Sequence, residues 1–475
     1  MKTGLNIPNT GRLKYLFLIS LFLVLSFLIA FLSITADARS MFLIVVFSLI
    51  PIILAYDFKN SIMGLLAFYT FMGFFRRFFY TINTYTRLDP IYIIPDIFAC
   101  ALFVYLLILK KDKIFREING SLGMKIFTIL IGVMFLQMFN PLQGGIAVGI
   151  GGGKFWLIPM LWFFFGIFFD KDYIEKVFKL LIILGFLSAI YGIKQVFWGF
   201  SGFENKWLYY VVNINKFSSI QVHSVIRPFS FFPSPKEYAD FLLITLIIAY
   251  TALFFKRNRI LYFLVFLVIL YSKILLAVRG TLFLAIVSFV FIVMIISRRK
   301  KLVYFITGTV LFFYIILANL IDYDIILSAM PVNFLRLYAH IFSGVVDPFS
   351  RYSTIWERLM ELKNLPLIIA KYPIGVGIGA TSLAGWKFGG VFKGLEVSLV
   401  SMIAGASIFA GILYIGVVVA SIRQSIVKFV STRNWIYPVI AGVVFAYFVV
   451  GGLTLYSTPA VYWFLIGYSL KRKEE

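Results

Sequence analysis

Charge is what this sequence has least of. Of its 475 residues only 13% are Asp, Glu, Lys or Arg, while 61% are hydrophobic. A soluble domain carries roughly 25% charged and 45–50% apolar residues, so this chain lacks the polar surface that water would require. A soluble enzyme is excluded and a polytopic membrane protein is indicated. Cysteine is nearly absent: Cys100 is the only one, which excludes a disulfide framework. Histidine occurs twice, at His223 and His340, too sparsely for a Cys/His metal site. The two Asp-x-Asp pairs, Asp170-Lys-Asp172 and Asp322-Tyr-Asp324, read as a short connection and a helix end, not as metal motifs. Proline (15) and glycine (35) follow no period, which excludes collagen-like and low-complexity classes.

What is present is apolar length. Runs of about the length needed to cross a hydrocarbon layer of ~30 Å, several of them short, recur at 15–34, 41–56, 61–75, 91–109, 124–139, 155–169, 178–198 and 238–255. They continue at 260–277, 281–296, 302–319, 396–421, 437–455 and 459–470. The expected fold is therefore all-α: one integral membrane domain over 1–475, a bundle of about fourteen helices (twelve to fourteen). Lys2, Arg12 and Lys14 precede the first run and Ala36-Asp-Ala38 resembles a cleavage site. The run is long for a signal core and another span follows at once, so it reads as an uncleaved anchor.

Orientation follows from the basic connections Lys110-Lys-Asp-Lys113, Lys256-Arg-Asn-Arg259 and Arg298-Arg-Lys-Lys301 and the tail Lys471-Arg-Lys473. Such clusters stay cytoplasmic, which puts both termini inside. The net charge of +24 is then mostly inner-loop charge, not a nucleic-acid signal. A positive surplus nevertheless remains on the outer side, against the orientation rule, and an anionic ligand there is its natural counterpart. Two outer segments are long, 199–237 and 321–395, and long structured loops are usually functional.

The candidate site residues gather in those segments and at the outer ends of spans. Arg227 stands among aromatics and prolines in Arg227-Pro-Phe-Ser-Phe-Phe-Pro-Ser-Pro235, with Lys236 and Glu237 next. A planar guanidinium between aromatic walls suits a phosphate, and it equally suits an arginine snorkelling to the headgroups. Arg279 lies in a very short turn between apolar runs, where a charge costs ~2–3 kcal/mol unless it faces a cavity; the plainer reading is an interfacial hairpin turn. In 350–363, Ile355, Trp356, Leu359, Met360 and Leu362 share one helical face and Arg351 and Arg358 another, with Ser350 as N-cap. This is an amphipathic helix on the membrane or over a cavity. Gly375-Val-Gly-Ile-Gly379 has no βαβ context for a nucleotide fingerprint and reads as an outer turn with bare amides near a ligand. Glu396, at the start of a span, reads either as a general base or as a salt-bridge partner of Arg351 or Lys393. Arg76, Arg77, Arg87, Asp96 and Lys154 complete the outer set, Lys154 standing at the start of its span after Gly149-Ile-Gly-Gly-Gly153. Together the cations are enough to hold a pyrophosphate without a metal.

In order and spacing these pieces resemble the O-antigen polymerase and O-antigen ligase superfamily. Ile226-Arg-Pro-Phe-Ser-Phe-Phe-Pro-Ser-Pro235 is similar to the family's Arg, Gly/Ser, Phe and Pro segment. Leu276-Ala-Val-Arg-Gly-Thr281 is similar to its Thr-x-Ser-Arg-Gly turn, with apolar residues where hydroxyls usually stand. Ser350-Arg-Tyr-Ser-Thr-Ile-Trp356 running to Pro373-Ile-Gly-Val-Gly377 resembles its large-loop pattern, and Gly192-Ile-Lys-Gln195 its Gly-x-x-Gln span. The resemblance implies a metal-independent membrane glycosyltransferase with no cofactor, in the bacterial inner membrane. It implies an undecaprenyl-pyrophosphate-linked glycan donor and acceptor as partners, and a chain-length regulator protein. Arg227, Arg279 and Arg351 would stabilise the leaving diphosphate, with Lys154, Arg76, Arg77, Arg358 and Lys236 around them, and Glu396 would take the acceptor proton. Ligases of the group carry a His-Asn pair where this chain has Lys393-Gly-Leu-Glu396, which favours a polymerase. Ligation to lipid A core or protein is the runner-up. A flippase or secondary transporter is the competing class, for which ionisable residues at the bilayer midplane and repeat symmetry are expected.

Overall fold

The computed structural model describes residues 57–81, 90–210, 221–222, 225–297, 354–388, 395, 397–450 and 452–472. The runs at 15–34, 41–56 and 302–319, together with Arg87, Arg351 and Glu396, lie outside the described residues. Apart from a two-residue antiparallel pairing of β1 (Gln221–Val222) with β2 (Val225–Ile226), the regular structure described is helical.

The helices in chain order are α1 (Phe58–Tyr80), α2 (Ile94–Gly120), α3 (Leu122–Gln137), α4 (Ile146–Ile167) and α5 (Lys171–Phe197). There follow α6 (Gly202–Tyr209), α7 (Pro235–Phe255), α8 (Arg259–Leu275), α9 (Arg279–Ile296) and α10 (Thr354–Lys371). The last five are α11 (Leu383–Phe388), α12 (Ser398–Ala406), α13 (Ile408–Thr432), α14 (Ile436–Val450) and α15 (Ser457–Leu470). Five of them, α1, α4, α5, α7 and α13, are long and apolar enough to cross a membrane. Shorter apolar stretches lie in α3, α9 and α14. The molecule is a helical membrane-type bundle.

Local chemistry sets the helix starts. Asp57 accepts from the Lys59 amide at the head of α1, and Asp170 accepts from Tyr173 at the head of α5. Ser201 and Glu204 close a capping box on α6. Ser234 caps α7 with Pro235 at its first position, where a missing N–H costs nothing.

α7 lies at the centre, with nearly every residue from Pro235 to Ala252 buried. α4 and α15 pack through glycine. A methyl group at Gly166 would overlap the Phe464 carbonyl, and one at Gly467 the Phe163 carbonyl. This backbone approach is the small-residue packing that membrane helices use in place of a hydrophobic driving force. Around it the core is aromatic: Phe127 stacks on Phe163 at 3.6 Å, and Trp463 lies 5.3 Å from Phe127.

Three expected boundaries shift. The run 396–421 is not one helix: Ser407 has φ 96° and ψ 163°, and separates α12 from α13. α4 begins at Ile146, so Lys154 lies well inside the helix and not at its start. Its glycines are tolerated because they pack: a side chain at Gly152 would strike the Gly379 backbone, and one at Gly149 the Met138 carbonyl. α2 runs past its expected end to Gly120, with a non-helical residue at Lys110.

Connections cluster at two ends. At one end Lys59 meets Asp170, Lys471 donates to the Phe169 carbonyl, and Lys428 donates to the Ser469 and Lys471 carbonyls. Glu175 pairs with Lys256 at 2.8 Å and accepts from the Trp435 indole. Partial burial by itself would raise the Asp170 carboxyl, but Lys59 and the Tyr173 amide hold it below the ordinary aspartate value. The other end carries the segments on which the candidate site residues fall.

Candidate functional site

The proline-rich segment 227–235 is held by a buried clamp. Arg77, in the last turns of α1, is 1% exposed. Its Nη1 donates to the Phe232 carbonyl at 2.7 Å and its Nη2 to the Ser230 carbonyl. Its Nε lies 3.8 Å from Glu204, and its plane sits 4.3 Å from the Phe229 ring. From α5, Gln195 Oε1 accepts from the amides of Phe229 (3.0 Å) and Ser230 (2.8 Å), while its Nε2 donates to Glu204 at 2.7 Å. The clamp encloses a residue in the left-handed region, Ser230 with φ 49°, whose hydroxyl donates to the Ser188 carbonyl. Gly73 permits the approach of α1, because a side chain there would meet the Phe232–Pro233 backbone.

A second cluster surrounds the turn between α14 and α15. Tyr92 and Tyr456 stack at 4.8 Å. Arg76 donates to the Tyr92 hydroxyl at 2.8 Å. Lys154 donates to the Tyr92 carbonyl at 2.8 Å, pairs with Asp96 at 3.0 Å, and lies 5.6 Å from the Tyr456 ring centre. Next to Tyr456, the Ser457 amide and hydroxyl both donate to Glu237 Oε1, at 2.6 and 2.8 Å. Glu237 thereby caps α15 from another helix. One turn further along α7, Asp240 pairs with Lys236 at 3.2 Å, and Lys273 donates to the Ala239 carbonyl at 2.8 Å. Glu237, Asp240 and Lys273 are all buried. Buried ionisable groups in a membrane bundle are kept in place by such partners.

A third contact joins α10 to the first turn of α9. The Arg358 guanidinium rests on Gly280: a Cβ there would lie 2.7 Å from its Nη1. On the same helix, Glu361 accepts from the Val397 amide at 3.0 Å and ties α10 to the start of α12.

The glycine-rich segment differs from its expected role as a ligand turn. The Val376 and Gly377 amides donate to the Ala404 and Gly405 carbonyls, each at 2.9 Å, and the Gly379 amide donates to Gln143 at 3.2 Å. Its glycines let the chain thread between α4 and the end of α12. These amides bind the protein itself, and they satisfy the carbonyls that the break at Ser407 would otherwise leave open.

Arg76, Arg77, Lys154, Lys236, Arg227 and Arg358 therefore lie at one end of the bundle, with the backbone of Arg279 at the first residue of α9. Arg76, Arg227 and Arg358 are half-buried. Arg77, Lys154 and Lys236 each face a carboxylate, so these three charges are balanced within the protein. Sequence reasoning missed Glu204, Asp240 and Lys273 as site groups, and missed the Tyr92–Tyr456 stack. For Lys273 the signal was legible: a lysine in an apolar run, six residues before Arg279. The sequence matches no family model and no curated protein.

Proposed function

We propose that the protein is a membrane glycosyltransferase that polymerises undecaprenyl-pyrophosphate-linked oligosaccharides on the outer face of the bacterial cytoplasmic membrane. The observation that supports this reading is convergence. Segment 227–235 leads into α7, whose first turns touch Ser272 and Lys273 shortly before α9 begins at Arg279, and Arg358 rests on Gly280 in the first turn of α9. Of the stretches that resemble the polymerase and ligase superfamily, 192–195 touches 227–235 through Gln195, and α7, which follows 227–235, touches Ser272 and Lys273 just before 276–281.

In this reaction a hydroxyl of the acceptor sugar attacks the anomeric carbon of the donor. The bond to the diphosphate oxygen breaks, undecaprenyl pyrophosphate leaves, and the hydroxyl proton passes to a base. Negative charge grows on the leaving group, and cations fixed beforehand stabilise it without reorganisation. Arg227, Arg279 and Arg351 are assigned to that charge, with Arg76, Lys154, Arg358 and Lys236 at its margin. Glu396 is assigned to the acceptor proton. Arg77, turned to backbone carbonyls, supports the segment that carries Arg227.

The discontinuity at Ser407 favours a carrier, since broken helices line transport paths. Its carbonyls at Ala404 and Gly405 are, however, bound by Val376 and Gly377, which leaves them closed to a passing ion.

The deciding experiment is mass spectrometry of undecaprenyl-pyrophosphate glycans in a strain lacking the protein, complemented with wild type or Arg279→Ala. Single repeat units on the outer leaflet, extended only by wild type, are expected. Long polymer stranded on the carrier would indicate a ligase, and units confined to the inner leaflet a flippase. An unchanged lipid-linked pool would refute the glycan reading.

A further inference from the structure

We infer that Arg77, Glu204 and Gln195 form a positioning clamp that holds segment 227–235 in a single conformation, so that Arg227 is presented to a diphosphate as a pre-set guanidinium. The inference rests on the proposed function for the identity of the ligand, and on the geometry of the clamp for everything else.

Segment 227–235 has three prolines and no regular hydrogen-bonded structure until α7 begins. Left alone it would sample several paths, and Ser230 would leave the left-handed region, which L-residues other than glycine avoid. Four polar backbone groups around Ser230 are instead taken by side chains from elsewhere, while the Phe229 and Phe231 carbonyls accept from the Phe232 and Phe74 amides. The amides of Phe229 and Ser230 go to Gln195, and the carbonyls of Ser230 and Phe232 to Arg77. Glu204 joins the two halves: it accepts from Gln195 at 2.7 Å and from the Ser201 amide at 2.8 Å, and faces the Arg77 Nε. Three elements, α1, α5 and α6, thus meet on one turn located three residues from Arg227. Arg77, Gln195, Glu204 and Ser230 are all buried, so this turn is closed to bulk solvent. The arrangement is what a preorganised anion site needs: the cost of ordering is met on folding and not on binding.

The clamp has a chemical signature that packing alone would lack. Gln195 uses its oxygen toward the segment and its nitrogen toward Glu204. Gln195→Glu keeps size and the acceptor, but sets two carboxylates in contact. Glu204→Gln keeps size and removes the charge facing Arg77. The exchanged pair, Gln195→Glu with Glu204→Gln, keeps an acceptor for the Phe229, Ser230 and Ser201 amides, reverses only the hydrogen bond between the two side chains, and keeps one carboxylate in the pair while moving it from position 204 to position 195.

The test uses the full-length protein in detergent and inorganic pyrophosphate as probe. Amide hydrogen exchange of 227–235 and pyrophosphate affinity are measured for wild type, Arg227→Ala, both single variants and the exchanged pair. Glycan extension is followed in cells carrying the same set. The expected result is loss of pyrophosphate binding in Arg227→Ala without loss of amide protection. Gln195→Glu should show faster exchange at Phe229 and Ser230 and about tenfold weaker binding, equivalent to one contact of ~1.4 kcal/mol. The exchanged pair should recover both. If Gln195→Glu does not accumulate, Glu204→Gln against the exchanged pair gives the same comparison. Unchanged protection in the single variants, no rescue by the pair, or pyrophosphate binding that ignores Arg227 would each overturn the inference. Clamp-dependent pyrophosphate binding in a protein that extends no glycan would uphold the clamp and refute the proposed function.

Discussion

Glu237 shows how a buried acid in this bundle is tied to the start of another helix. Its Oε1 receives both the amide and the hydroxyl of Ser457, at the first residue of α15. Helix starts carry amides with no partner inside the helix, and lipid offers none. Replacing Glu237 by Ala leaves a buried N–H unsatisfied, a loss of about 1–3 kcal/mol. We predict a lower melting temperature in detergent for Glu237→Ala, and near-normal melting for Glu237→Gln, which keeps an acceptor oxygen. Equal melting of Glu237→Ala and wild type would remove the cap from the account. The same logic ranks the cations. Arg77 is committed to carbonyls on 230–232, whereas Lys154 and Lys236 balance Asp96 and Asp240.

At the scale of elements, the α4–α15 pair is the joint that defines the bundle. Gly166 and Gly467 bring two backbones together closely enough that a single methyl group collides with a carbonyl. Overpacking a close contact of this kind costs about 1–3 kcal/mol, and more where backbone must move. We predict that Gly467→Ala lowers the folded yield in membranes more than Gly132→Ala, because Gly132 has open space where a Cβ would lie. Comparable yields for the two, read by fluorescence-detected gel filtration, would show that the approach is not tight. The break at Ser407 is a second joint, with segment 375–379 laid against it, so the glycines there serve packing and carbonyl satisfaction together.

For the whole molecule, the two ends differ in kind. One is bound by lysines to helix-end carbonyls and acids, as at Lys59, Lys256, Lys428 and Lys471. The other gathers the proline-rich segment, the tyrosine stack and α10. From the positive-inside rule we predict that the first faces the cytoplasm. Cys100 is the only native thiol, which makes sidedness directly testable. In a Cys100→Ser background, Tyr209→Cys should react with a membrane-impermeant maleimide in intact cells, and Lys111→Cys only after permeabilisation. Both positions are exposed. The reverse pattern would invert the orientation and with it the outer-face glycosyltransferase reading.

The class of fold was legible in composition, because a chain with 13% charged residues has no soluble solution. The apolar runs also located most described helices, since length and hydrophobicity alone decide whether a segment suits a bilayer. Arg, Pro and Gly placed between those runs marked the candidate segments, and the structure packs the glycine-rich one against Ala404, Gly405 and Gln143. Partners were not readable. Gln195 and Arg77 meet Ser230 across 35 and 153 residues, Glu237 meets Ser457 across 220, and Gln143 meets Gly379 across 236. An isolated arginine in an apolar run looks the same whether it awaits an anion or holds a carbonyl. Only the packing of α1, α5 and α6 on segment 227–235 decided that Arg77 holds carbonyls, because a buried donor must take whatever acceptor the tertiary structure brings to it.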